Sequence, residues 1–311
     1  MYLPEFYRSC KSIPAPSLTI IRPIDQMIDI ESTGITDIGK KRKGNEDALL
    51  VDDELYLYIV ADGMGGHRAG EVASKLVVES IRDYMKRFRD GEKVEELEDT
   101  DLSLSKEANR ILAGINLSNR VVHEIASSKY AYQGMGSTVS VLYFNAQTLV
   151  AANVGDSPIY LVHKGDIELL SVPHTVLAEQ AAIDPEVAEQ LGDEFKHMLT
   201  RAMGAEAAVK ASVCEIPYFK DDILVMSSDG LSDLVSPDEI LEIVTKHRPE
   251  IACQSLVNLA NNRGGTDNIT VIVIGINNTG NNNGRMKDLI TRVTDNFFNI
   301  ASKKKTRNVR G

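Results

Sequence analysis

Arg42-Lys43-Gly44-Asn45-Glu46-Asp47, then Val60-Ala61-Asp62-Gly63-Met64-Gly65-Gly66-His67, is the part of the chain whose reading decides the fold. Two later stretches complete the pattern, Ser228-Asp229-Gly230 and Gly265-Thr266-Asp267-Asn268. Each aspartate stands at the edge of an apolar, strand-like run. Asp62 closes Leu55 to Ala61, Asp229 closes Ile223 to Ser228, and Asp267 opens Ile269 to Ile276. Charges so placed can converge on one rim of a sheet. Gathered carboxylates repel one another strongly unless cations sit between them. The expectation is a site for hard divalent metals.

Working outward, strand signals at Ala48–Val51 and Leu55–Ala61 flank an acidic turn and predict a hairpin. Val72, Leu76, Ile81, Met85 and Phe88 then recur at helical spacing, and a second helix is expected from Ser105 to about Ser128. Strands are predicted at 138–144, 149–154, 159–163 and 167–171, with a further one before Asp229. Helices are predicted at 237–246 and 249–261, and a last strand after Asp267. Strands and helices come in blocks rather than in strict alternation. That pattern favours an α+β fold, antiparallel sheets with helices packed outside.

The first thirty residues carry four prolines and no sustained period, and read as an extension outside the domain. The domain is expected over 31–276, followed by a polar linker at 277–284. From 285 to 311 an apolar stripe at helical spacing is joined to a net charge of +6, leaving −17 for residues 1–284. Such a basic amphipathic tail suits a peripheral membrane or an acidic partner, or packing on the core. A formal charge of −11 argues against nucleic acid as partner of the whole protein. Cys10, Cys214 and Cys253 share no metal-type spacing and read as reduced thiols. No apolar run nears the roughly 18 residues needed to span a bilayer. A cytoplasmic setting is expected.

All-oxygen ligation by carboxylates, carbonyls and water suits Mg²⁺ or Mn²⁺ rather than zinc. Two such ions about 3.5–4 Å apart can bind a bridging water and lower its pKa towards 7, for in-line attack on phosphorus. Asp62 is the bridging candidate, and Gly63 can offer its carbonyl. Asp229 and Asp267 would complete one ion's shell, with Glu46 and Asp47 acting through ordered waters. Arg42 supplies a planar guanidinium able to hold two phosphate oxygens. Taken singly, an Asp before Gly is usually only a turn, and Arg42 lies in a basic run of the kind that is mostly solvated surface. Asp156 in Gly155-Asp156-Ser157-Pro158 reads alone as a turn former, and His67, His123 and His174 share no ligand spacing. The joint pattern carries the reading.

These motifs, with Gly70-Glu71-Val72-Ala73-Ser74, Gly136-Ser137-Thr138, Asn153-Val154-Gly155-Asp156-Ser157 and Leu199-Thr200-Arg201-Ala202-Met203-Gly204, resemble the metal-dependent protein phosphatase 2C family in its compact bacterial form. The resemblance spans roughly Ser32 to Ile276. It implies two packed antiparallel sheets flanked by helix pairs, an αββα sandwich. It also implies removal of phosphate from Ser or Thr of phosphoproteins, opposing a Ser/Thr kinase. By carry-over, Asp62 bridges two metals, Gly63, Asp229 and Asp267 are ligands, and Arg42 receives phosphate. A third ion, held in bacterial members, would fall at Asp156 with Asp229. Residues 175–198 would form a flap beside the cleft, where substrate choice is set. Met64 stands where eukaryotic relatives carry a His, and Pro158 and Pro173 depart from the family pattern without removing a ligand.

Three other chemistries are closed. A cysteine phosphatase needs Arg six positions after its Cys, where this chain has Pro16, Lys220 and Leu259. The Gly-x-x-x-x-Gly-Lys-Ser/Thr and Gly-x-Ser-x-Gly motifs are absent. A silent scaffold relative would be expected to have lost a ligand aspartate, and Asp62, Asp229 and Asp267 are all present.

Overall fold

The computed structural model describes residues 28–65, 69–94, 100–128, 130–146, 148–192 and 195–279. The polar linker from 280, the basic tail and most of the N-terminal extension lie outside them, as does His67.

Two antiparallel sheets lie face to face. One has the order β1-β11-β10-β7-β8, from Asp29–Asp37, Ile269–Asn278, Ile223–Ser227, Ile159–His163 and Asp166–Leu169. The other has the order β2-β3-β5-β6-β9, from Asp47–Asp52, Leu57–Met64, Val139–Phe144, Leu149–Val154 and Ser212–Ile216. The two-residue β4, Gly136–Ser137, pairs with the end of β3. Helices α1 (Ala69–Arg89) and α2 (Lys106–Ser128) cover the second sheet, and α6 (Pro237–Lys246) and α7 (Pro249–Asn262) cover the first. The expected α+β sandwich is what the chain adopts.

Three apolar layers hold it, and strand alternation explains them. On β3, Leu57, Ile59 and Ala61 face the α1–α2 layer, while Tyr58 and Val60 face the layer between the sheets. On β11, Ile272, Ile274 and Ile276 point between the sheets, and Ile269, Val271 and Val273 point to α6 and α7. Both faces of these central strands are covered. They therefore read as unbroken apolar runs rather than as alternating patterns.

The edges behave differently. β1, Asp29-Ile30-Glu31-Ser32-Thr33-Gly34-Ile35-Thr36-Asp37, is half polar, yet it pairs with β11 from Asp37↔Ile269 to Asp29↔Asn278. The sheet thus reaches two residues past each expected domain boundary. Gly34 lets it lie close against the facing sheet, since a Cβ there would come 2.9 Å from Val51 Cγ2. Neither β1 nor the edge strand β9 was expected from periodicity. Among the described residues no helix is long and apolar enough to cross a membrane.

Candidate metal centre

The acidic residues arrive from both sheets at one rim. Asp47 on β2 and Asp62 on β3 are direct partners in the antiparallel ladder, so their side chains share a face. The strand runs past Asp62 to Met64 instead of closing before it. Asp229 starts the short helix α5 (Asp229–Ser232) after β10, and Asp267 sits in the turn before β11. β10 and β11 are adjacent, with Ser227 opposite Val271, which brings these two turns to the same rim.

The backbone is held tightly around them. Asp62 N donates to Thr138 Oγ1 at 3.0 Å, and its carbonyl accepts from Thr138 N at 2.8 Å and Ser137 Oγ at 3.0 Å. Gly63 N donates to Glu46 O at 3.1 Å. A Cβ at Gly63 would lie 2.1 Å from Gly70 O and 2.5 Å from Glu46 O, so only glycine fits. Asn268, just before β11, clamps the Arg42 loop to the first sheet's rim. Its Nδ2 donates to Ile38 O (3.0 Å) and Gly44 O (2.9 Å), and its Oδ1 accepts from Glu46 N at 2.9 Å.

Electrostatics make the cluster costly as it stands. Asp62 is pushed well above the ordinary carboxylate range by burial, then by Asp47 and Asp229, with which it shares a hydrogen bond. Burial lifts Asp47 from 3.8 to about 6, against the hydroxyls of Thr270 and Ser228, which donate to its Oδ2 at 2.6 and 2.8 Å. Asp156 is likewise raised to about 6 by burial and by Asp229, and Glu46 is raised by burial. Asp229 is raised by burial and by Asp267 and Asp233, against its bond with Asp62.

Among the described residues, three buried oxygens of the cluster, Glu46 Oε1, Asp47 Oδ1 and Asp229 Oδ1, meet no hydrogen-bond partner. Orphaned acceptors of this kind are rare in folded proteins. An all-oxygen, anionic, unsatisfied donor set fits a hard divalent cation. Arg42 flanks it, its Nη2 2.6 Å from Asp267 Oδ2, with half of the Arg42 side chain exposed.

Sequence reading named the acids but not their supports. Ser228, Thr270 and the clamp by Asn268 act through contacts between residues some 180–230 positions apart. It also passed over His197, which lies with Asp156 and Asp229 such that one ligand atom from each falls within 4.8 Å of the others. No periodicity or motif marks that histidine. His174, which shares no ligand spacing with the other histidines named above, is fully buried. Its Nδ1 accepts from Gly155 N at 3.1 Å and its backbone N donates to Gly155 O at 3.0 Å.

The chain resembles known proteins along most of its length. A family model described as protein phosphatase 2C matches residues 40–262. The serine/threonine phosphatase stp of Listeria monocytogenes is 33% identical over 246 residues, 77% of this chain and 93% of that protein. Protein phosphatase PhpP of Streptococcus pneumoniae is 30% identical over 256 residues, 80% of this chain and 98% of that one. Among solved structures, the serine/threonine phosphatase PstP of Mycobacterium tuberculosis superposes with a TM-score of 0.68 at 27% identity, covering 80% of this chain and 99% of that one. A second PstP structure, of the catalytic domain in complex with two manganese ions, gives 0.66 over the same shares at the same identity. The chain belongs to the protein phosphatase 2C family, as a serine/threonine protein phosphatase.

Proposed function

We propose that the chain hydrolyses phosphoserine and phosphothreonine on proteins, with the acidic rim holding two divalent ions, Mn²⁺ or Mg²⁺. The observation that carries the reading is the group of orphaned, buried carboxylate oxygens contributed by both sheets. Asp62, which feels both Asp47 and Asp229, would serve both ions, and Gly63, Asp229 and Asp267 would complete the donor set. Glu46 and Asp47 act one step further out, through water. When bound, the ion pair supplies Lewis acidity to the phosphate and to the attacking water.

The protein's own groups do the remainder. Arg42 swings from Asp267 to the phosphate, where its fork holds two oxygens and offsets charge that develops in transfer. The Asp267 contact is half exposed, so leaving it costs little. Ser228 and Thr270 fix the Asp47 carboxylate, and Asn268 fixes the loop that carries Arg42. Met64 offers no proton, so the leaving oxygen takes one from water.

The substrates are phosphoproteins of a cognate Ser/Thr kinase, in cytoplasmic signalling. PstP with its two manganese ions supports the metal requirement by analogy. The test is hydrolysis of an aryl phosphate and of a phosphothreonine peptide in Mn²⁺, followed by chelation. Turnover that is lost on chelation and restored by Mn²⁺ is expected. Folded protein with no metal-dependent turnover would favour a binding role instead.

A further inference from the structure

The pair expected to hold a third ion, Asp156 and Asp229, has a partner from the flap. His197 lies outside any helix or strand, beyond α3 (Val176–Ile183) and α4 (Pro185–Ala188). Its Nδ1 is 3.8 Å from Asp229 Oδ2, and its Nε2 is 3.5 Å from Asp233 Oδ2. Asp233 closes α5 one turn after Asp229, so both carboxylates project from the same side of that helix. Lys196 Nζ reaches Asp233 Oδ1 at 3.0 Å. Two consecutive flap residues therefore meet the short helix that carries Asp229.

The separations suit a cation better than direct contact. At 3.8 Å the imidazole and Asp229 are too far apart for a hydrogen bond. Around an octahedral ion with bonds of about 2.1 Å, neighbouring ligand atoms stand roughly 3.0 Å apart and opposite ones roughly 4.2 Å. The Asp156–His197–Asp229 atoms fall within 4.8 Å of one another, close to that span. Asp229 also keeps an orphaned buried oxygen, Oδ1.

We propose that His197 is a flap-borne ligand of a cation seated between Asp156 and Asp229. The imidazole turns an all-oxygen pair into a mixed nitrogen–oxygen site. Imidazole favours first-row transition ions, whereas carboxylate and water suffice for Mg²⁺. The site therefore takes Mn²⁺ in preference to Mg²⁺, and filling it ties the flap to Asp156 and Asp229. This rests on the reading above that Asp229 is a metal ligand, and it adds a switch. Ion choice at this outer position sets how firmly the flap is tied to α5.

The experiment is Mn²⁺ binding to the full chain, followed by the electron paramagnetic resonance of free Mn²⁺, for the wild type, His197→Ala and Asp156→Asn. Tryptic cleavage of the flap is followed in parallel in Mn²⁺ and in Mg²⁺. Expected for the wild type are two tight ions and a weaker third, with the flap protected in Mn²⁺ but not in Mg²⁺. His197→Ala should weaken the third ion about 10–100-fold or more, the scale that even outer partners of a metal reach. It should abolish flap protection and leave the two tight ions unchanged, while Asp156→Asn should likewise lose the third ion. Unchanged third-ion affinity in His197→Ala, or a wild type that binds only two ions, overturns the assignment and leaves the catalytic reading intact. A wild type that binds no Mn²⁺ overturns both.

Discussion

Replacing Asp47 by Asn should make the metal-free protein more stable and the metal-loaded one less active. Asp47 is 6% exposed, with Oδ2 taking hydroxyl protons from Ser228 and Thr270 and Oδ1 left orphaned towards the acidic rim. Burial raises it from 3.8 to about 6. At 1.36 kcal/mol per unit, ionised Asp47 costs the fold about 3 kcal/mol at pH 7.5. The sign follows from the raised value. The folded state holds its proton longer than the unfolded chain, so the cost is small near pH 4 and complete above pH 6. Asparagine keeps the acceptor for both hydroxyls and places an NH₂ donor where the orphaned oxygen faced other carboxylates. Allowing for burial of the amide, a net gain of about 2 kcal/mol is expected. At roughly 2–4 °C per kcal/mol for a domain of this size, the melting temperature in EDTA should rise by about 4–8 °C. In saturating Mn²⁺ the order should reverse, because the wild type gains more from the ions. Scanning calorimetry at pH 7.5 and 4.5, with EDTA and with Mn²⁺, decides it. A variant that melts below the wild type in EDTA at pH 7.5, or whose advantage is undiminished at pH 4.5, would refute the account.

Four further outcomes are expected. Asp229→Asn should lower turnover by about 100-fold or more with its far-ultraviolet circular dichroism unchanged; an unaltered rate removes Asp229 from its role. Gly63→Ala drives a Cβ to 2.1 Å from Gly70 O and should cost about 3 kcal/mol or more by urea unfolding. Arg42→Lys keeps the charge but loses the fork, so KM for a phosphopeptide should rise about tenfold with little change in metal affinity. His174, packed against Arg201 and near Glu179, is held down to about 4 from 6.5 by burial. The unfolded chain binds its proton first, so stability from neutral His174 is complete above pH 6.5 and lost as pH falls towards 4, at most about 3 kcal/mol. Calorimetry of His174→Gln should therefore show a weaker loss between pH 7 and 4.5 than the wild type shows.

Much of this was readable from the chain because chemistry and local geometry coincided at the same residues. Asp229 and Asp267 flank strand ends and Asp62 lies two residues inside one, while Gly63 and Gly230 admit the close backbone approaches that the rim requires. The central strands announced themselves through unbroken apolar runs, since both of their faces are covered. β1 did not, because half of its residues are polar and an edge strand pairs on one side only; its pairing with β11 is settled by contacts more than 230 residues apart. His197 was silent for another reason. Its neighbours Asp156, Asp229 and Asp233 are gathered by the flap's path through space, which no local pattern encodes.

The acidic rim also lies across the seam of the sandwich: Glu46, Asp47 and Asp62 come from one sheet's side, Asp229 and Asp267 from the other's. Under the proposed ligation, the ion shared by Asp62, Asp229 and Asp267 works as a rivet between the two halves of the molecule. An ion present at a hundred times its Kd would then add about 2.7 kcal/mol to the work of prising them apart. A cell short of divalent metal would hold this enzyme not merely idle but also easier for proteases to open, so its abundance would fall along with its activity.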